Sequence, residues 1–168
     1  MVLKEISVAD LKISPVTLIS DEWMLVTCGT LTEGFNTMTA SWGHLGEIWG
    51  RDTAICYIRP HRYTKEFADK NGFFTLSFFP PENKQSLVYL GTHSGRDENK
   101  VEHSHLTPVG DERFVWFDEA KLVLFCRKLY AARIVPEGFC DKSLIEENYP
   151  SHDFHTMYIG EIDKVLSV

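Results

Sequence analysis

No apolar run in this chain is longer than five residues, and only Ala54 to Ile58 and Leu122 to Cys126 reach that length. A membrane-spanning helix needs about 20 consecutive apolar residues, so none is encoded. The runs are rich in β-branched and aromatic residues and are separated by Gly, Pro and Asn, which is the vocabulary of strands and turns. The expected strands are Val16 to Ser20, Met24 to Gly29, Thr37 to Trp42, Thr53 to Ile58, Phe73 to Phe79, Arg113 to Phe117, Ala120 to Ile134 and Phe154 to Asp163. So many short strands require a barrel or a sandwich. The fold class is mainly β with a few short helices.

Three helices fit between the strands. Thr64 is placed to cap Lys65 to Lys70, with Asn71-Gly72 as the stop. Pro80-Pro81 leads into a helix near Glu82 to Leu90, and Asp141 to Glu147 precedes Pro150. At 168 residues, with no linker or repeat, the chain reads as one domain that Met1 to Asp10 enters as an arm. Its 11 Phe, 6 Tyr and 4 Trp exclude a disordered chain, and the Phe and Trp exceed what a small barrel interior comfortably holds, so an apolar face buried between two subunits is expected. Cys28, Cys56, Cys126 and Cys140 lie far apart without a C-x-x-C and read as scattered buried thiols. The first ten residues, with Lys4, Glu5 and Asp10, have no secretory pattern, and a cytoplasmic protein is expected. A net charge of −7 would repel a nucleic-acid backbone.

Against that acidic background, Arg59-Pro60-His61-Arg62-Tyr63-Thr64-Lys65 carries positive charge and no carboxylate. It joins a strand exit to a helix, and an Arg fork, a hydroxyl and unpaired helix N–H groups together suit a phosphate. A basic turn with a Thr cap is the plainer alternative. Lys121 to Arg133 is also basic but alternates with core residues, as a solvated strand face does. Upstream, Gly34-Phe35-Asn36-Thr37-Met38-Thr39-Ala40-Ser41-Trp42-Gly43 is a run of small and hydroxyl residues. Its exposed backbone amides could hydrogen-bond the edge of a flat heterocycle, or it could be a polar edge strand. His103-x-His105 and His152-x-x-His155 raise a metal-binding β-barrel as a remote alternative, but no Asp or Glu completes a ligand set, so no metal is expected. Gly43-x-x-Gly46 with Gly50, and Gly91 to Gly95, read as ordinary loops.

Asn36-Thr37-Met38-Thr39-Ala40-Ser41-Trp42, then Ile58-Arg59-Pro60-His61-Arg62-Tyr63-Thr64, then Ser94-Gly95-Arg96-Asp97 with Lys100 resemble, in this order, the flavin reductase-like FMN-binding family and its flavoredoxin branch. The ending His155-Thr156-Met157-Tyr158-Ile159-Gly160-Glu161-Ile162 resembles that family's last barrel strand. The resemblance implies a six-stranded Greek-key split barrel, a homodimer and one non-covalent FMN per subunit. By the same resemblance, Asn36, Thr37, Met38 and Thr39 start the flavin-facing strand, and Ala40, Ser41 and Trp42 flank the isoalloxazine. Arg59, Arg62, Tyr63 and Thr64 hold the phosphate, Ser94 and Lys100 close over the cofactor, and His155 lies near the flavin or a nicotinamide donor. Where many relatives have Gly-Asp before this histidine, the chain has Asp153-Phe154. The expected function is an FMN-dependent oxidoreductase taking electrons from NAD(P)H or a protein donor and passing them to a small or protein acceptor. An FMN electron carrier without its own NAD(P)H activity is the alternative.

Overall fold

The computed structural model describes residues 2–168. Among these residues ten strands form: β1 (Lys4–Ile6), β2 (Met24–Thr30), β3 (Gly34–Ala40), β4 (Gly43–Ile48), β5 (Arg51–Ile58), β6 (Phe73–Phe78), β7 (Pro108–Gly110), β8 (Val115–Phe117), β9 (Leu122–Arg133) and β10 (Thr156–Ser167). The helices are α1 (Pro15–Thr17), α2 (Thr64–Lys70), α3 (Lys84–Thr92), α4 (Lys100–His103) and α5 (Ser143–Asn148). Eight strands make one antiparallel sheet in the order β3-β2-β6-β9-β10-β5-β4, with β1 added beside β10. The sheet therefore has eight strands rather than six; the arm contributes β1, and β4 extends the far edge. Met1, at the tip of the expected arm, lies outside the described residues.

Period-two alternation divides the strands between two cores. Met24, Val26 and Cys28 of β2, Met38 and Ala40 of β3, Ala54, Cys56 and Ile58 of β5, and Leu122, Leu124 and Cys126 of β9 meet inside the curled sheet. Leu25, Val123 and Phe125 face the other way and pack with Leu87 and Leu90 of α3 and with Phe114 and Phe117. Strand β9 is buried on both faces here, which is why its apolar run is continuous instead of alternating. The second core also absorbs several of the aromatic residues that a barrel interior alone could not hold.

Four local expectations are corrected. Val16 to Ser20 is helical: Ser14 Oγ accepts the Thr17 N–H, Pro15 occupies the first turn, and Leu18 and Ile19 are buried while Val16 is exposed. The glycine-marked stretch at Gly43 is strand β4, joined to β5 by the two-residue turn Trp49-Gly50 with φ of 60° and 68°, the positive values a tight hairpin turn requires. Arg113 to Phe117 shortens to β8, whose partner β7 went unread. Cys140 is exposed, whereas the other three thiols are buried as expected. Among the described residues no helix is long and apolar enough to cross a membrane.

Gly160 in β10 sits where the register with β9 shifts. A Cβ there would lie 2.6 Å from Phe74 Cζ and 2.8 Å from Cys126 Cβ, both in the first core. Gly160→Ala is therefore expected to cost about 2 kcal/mol by overpacking, or roughly 6 °C in Tm. Thermal denaturation checks this, and an unchanged Tm would contradict the packing described.

Candidate functional site

The turn 59–63 leaves β5 and enters α2, and on its inner side lies a cavity of about 220 Å³. Arg62, Tyr63, Thr64, Asn36, Ser94, Gly95 and Lys100 line it. Thr64 is the first residue of α2 rather than its cap, because Tyr63 already has helical backbone angles. Its buried hydroxyl accepts from Asn36 Nδ2 at 2.7 Å, tying β3 to α2. The Lys65 and Glu66 N–H groups donate to the Arg62 and Tyr63 carbonyls, so these helix-start donors, expected to face an anion, are engaged by the turn itself.

Two cations supply the positive charge. Lys100 is 3% exposed and its Nζ donates to the Leu90 and His93 carbonyls at 2.9 and 3.0 Å. Burial, reinforced by the charge of Arg62, brings its pKa down to about 8, with Glu98 pulling the other way. Burial also disfavours the charge on Arg62, whose Nη2 is enclosed without a hydrogen-bond partner. A buried guanidinium nitrogen left unpaired costs free energy, and Arg62 is one of the residues lining this cavity.

Arg62 also lines a second cleft of about 270 Å³, with Met38, Thr39, Ala40, Ser41, Trp42, Tyr57, Arg59 and His155. Strand β3 ends the sheet, so its outer edge has no neighbouring strand and borders this cleft instead. Thr39 Oγ1 donates to the Leu87 carbonyl at 2.5 Å and thereby fixes β3 on α3. His155 is buried, shares a 2.9 Å hydrogen bond between its Nδ1 and the Tyr149 hydroxyl, and lies 4.8 Å from Trp42, centroid to centroid. Burial first, and the Arg59 cation second, lower its pKa to about 4. At neutral pH the imidazole is uncharged and hydrogen-bonds without contributing a positive charge.

Every residue assigned to the flavin site by the resemblance lines one of the two clefts except Thr37. That side chain is fully buried, paired with Thr27 Oγ1 at 2.8 Å inside the β2–β3 hairpin. Arg59 lines the second cleft and not the cationic cavity: it donates to Asp153 at 2.7 Å and to the Asn148 carbonyl at 3.0 Å, and sits over Tyr149. Ser41 and Trp42 follow β3 rather than belonging to it. His103 ends α4 and bonds Glu98, and His105 follows with φ 59°, so the two do not share a strand face.

Sequence reasoning gave no role to Asp153, Tyr57, Tyr149, Gly95 or Arg96. Asp153 and Tyr149 lie in the loop after α5 and meet Arg59 only through the fold. Arg96 was within reach, because it belongs to the Ser-Gly-Arg-Asp segment already singled out.

No protein-family model matches the chain, and no curated protein matches it. Solved structures do. The chain is similar to the flavoredoxin of Methanosarcina acetivorans at 18% identity and TM-score 0.68, covering 88% of this chain and 68% of that one. It is similar to the FMN-binding protein of Thermus thermophilus at 20% identity and TM-score 0.66, covering 87% and 71%. It is similar as well to an NADH:FAD oxidoreductase of Streptomyces globisporus at 14% identity and TM-score 0.63, covering 86% and 73%. What these share with the chain is the fold, the split barrel of flavin reductase-like proteins.

Proposed function

We propose that the two joined clefts hold one FMN and that the protein is a cytoplasmic FMN-dependent oxidoreductase, taking electrons from NAD(P)H or a redox protein and passing them to a small or protein acceptor. Arg62 carries this assignment. Arg62, whose Nη2 is enclosed and without a partner in the protein, lines both the cationic cavity and the second cleft, and FMN is an anion joined to a flat ring. Arg62 and Lys100 together offset a phosphate of about −1.5 to −2 charges, while the Thr64 and Ser94 hydroxyls border it. Met38 to Trp42 floor the ring cleft, and His155 and Tyr149 hold Trp42 in place. The Arg59–Asp153 pair adds no net charge there. When bound, FMN supplies hydride and single-electron chemistry that side chains lack. The uncharged His155 acts here by position, orienting what enters the cleft.

Stopped-flow mixing of the FMN-loaded protein with NADH or NADPH tests the donor. Rapid bleaching supports the reductase, and no bleaching with either leaves the electron carrier as the function. The same reading has two chains pairing as a homodimer, supported by Ile48, Trp49 and Tyr130, which stay exposed on and beside the β4–β5 hairpin with the Trp49 and Tyr130 rings 6.4 Å apart. A monomer by light scattering would remove that part.

The lowered Lys100 pKa gives a pH dependence whose sign is fixed. Lys100 is charged below about pH 8 and neutral above it. A bound phosphate favours the charged form, so phosphate binding takes up a proton above that pH and weakens as pH rises. FMN affinity is expected to fall above pH 8 with a limiting slope of about tenfold per pH unit, while riboflavin affinity stays level. Parallel titrations at several pH values check this; equal behaviour of the two ligands would take Lys100 out of the phosphate site.

A further inference from the structure

Ser94 and Gly95 of loop 94–97 line the cationic cavity and not the other cleft. Gly95 is pressed against β3 and the turn, since a Cβ on it would lie 2.3 Å from Asn36 Oδ1 and 3.2 Å from Tyr63 Cδ1. Asn36 cannot swing away freely, because it is buried and its Nδ2 is committed to Thr64. Behind Gly95, Arg96 braces the loop: Nη1 donates to the His61 carbonyl at 3.0 Å, Nη2 to Glu66 at 2.5 Å, and the guanidinium lies 4.8 Å over the Tyr63 ring. Ser94 Oγ accepts the Arg96 N–H at 3.2 Å, which folds the loop on itself. Lys100, which also lines the cavity, is held by two carbonyls.

A monophosphate ends in such a cavity, whereas a dinucleotide must continue through its wall with a second phosphate and a nucleoside. The split-barrel fold itself does not decide between them, because an NADH:FAD oxidoreductase shares it. We infer that the 94–97 loop restricts the site to a flavin with a terminal monophosphate, with Gly95 and Arg96 as the residues that set FMN over FAD. This rests on the FMN reading above and adds the element that enforces it. Arg96 makes its contacts at the surface, so replacing it leaves both cores intact, while Gly95→Ala displaces the loop with Arg96 still present. Two independent ways of loosening one wall should then have one effect.

Fluorescence titration of FMN, FAD and riboflavin into the purified apoprotein, with Arg96→Ala and Gly95→Ala alongside, tests this. The wild type is expected to prefer FMN over FAD by about 100-fold, and each variant to narrow that ratio by about tenfold, the worth of a few exposed polar contacts. Riboflavin affinity should not move. A wild type that binds FAD as tightly as FMN, or variants that leave the ratio unchanged, overturns the inference while the FMN reading stands. A wild type that binds none of the three flavins overturns both.

Discussion

Arg62→Ala lowers FMN affinity by about 100-fold and leaves riboflavin affinity nearly unchanged. A charge-assisted hydrogen bond to a buried group contributes about 1.5–3 kcal/mol, which corresponds to roughly 10- to 150-fold in Kd, and Arg62 lines the cavity and has an enclosed donor with no partner in the protein. Riboflavin lacks the group being held, so it serves as the internal control. The same substitution has a second expected consequence that separates a binding residue from a structural one. In the protein without ligand, Arg62 is a desolvated cation beside a second cation, Lys100. Removing it relieves that repulsion, so the ligand-free variant should unfold at no lower denaturant concentration than the wild type. Loss of stability together with equal loss of both ligands would make Arg62 a framework residue.

Ala40→Leu is expected to weaken FMN by about tenfold or more and to shift its reduction potential downward. Ala40 is 9% exposed, belongs to the barrel core and borders the ring cleft. Three added carbons must enter one or the other, and overpacking of a closed site costs about 1–3 kcal/mol. If they enter the cleft, the ring is lifted from the backbone donors of the unpaired β3 edge, which favour negative charge on it. Thr30→Leu, at the other end of the β2–β3 hairpin, removes the hydroxyl that accepts the Glu33 N–H at 3.1 Å and should cost stability without moving the potential. Full occupancy and an unchanged potential in Ala40→Leu would make this strand structural only.

What the sequence made legible was local. Leu122 to Cys126 reads as a strand because adjacent residues sort onto opposite faces, and the structure buries both. The Val16 segment defeats the same rule, since a short apolar stretch carries no period long enough to separate a strand from one helical turn, and Ser14-Pro15 settles it as a helical start. Strand β4 was hidden because its two glycines, with Gly50 in the turn after it, resemble a loop and its pairing with β5 is what makes it a strand. The candidate site follows the same division. Its motifs were visible as charge and small-residue patterns, and the fold brings nearly all of them to two adjoining clefts. The partner of Arg59 was not legible because the carboxylate that holds it is 94 residues away. Lys100 and His155 have shifted pKa values because they are buried, and burial is a property of the packed chain rather than of the motif.

Titration of the purified protein with FMN, followed by absorbance and by calorimetry, tests the central claim most directly. One FMN per chain, bound more tightly than riboflavin and giving a yellow protein after gel filtration, is the predicted result. A protein that stays colourless after incubation with excess FMN and shows no binding heat would contradict it.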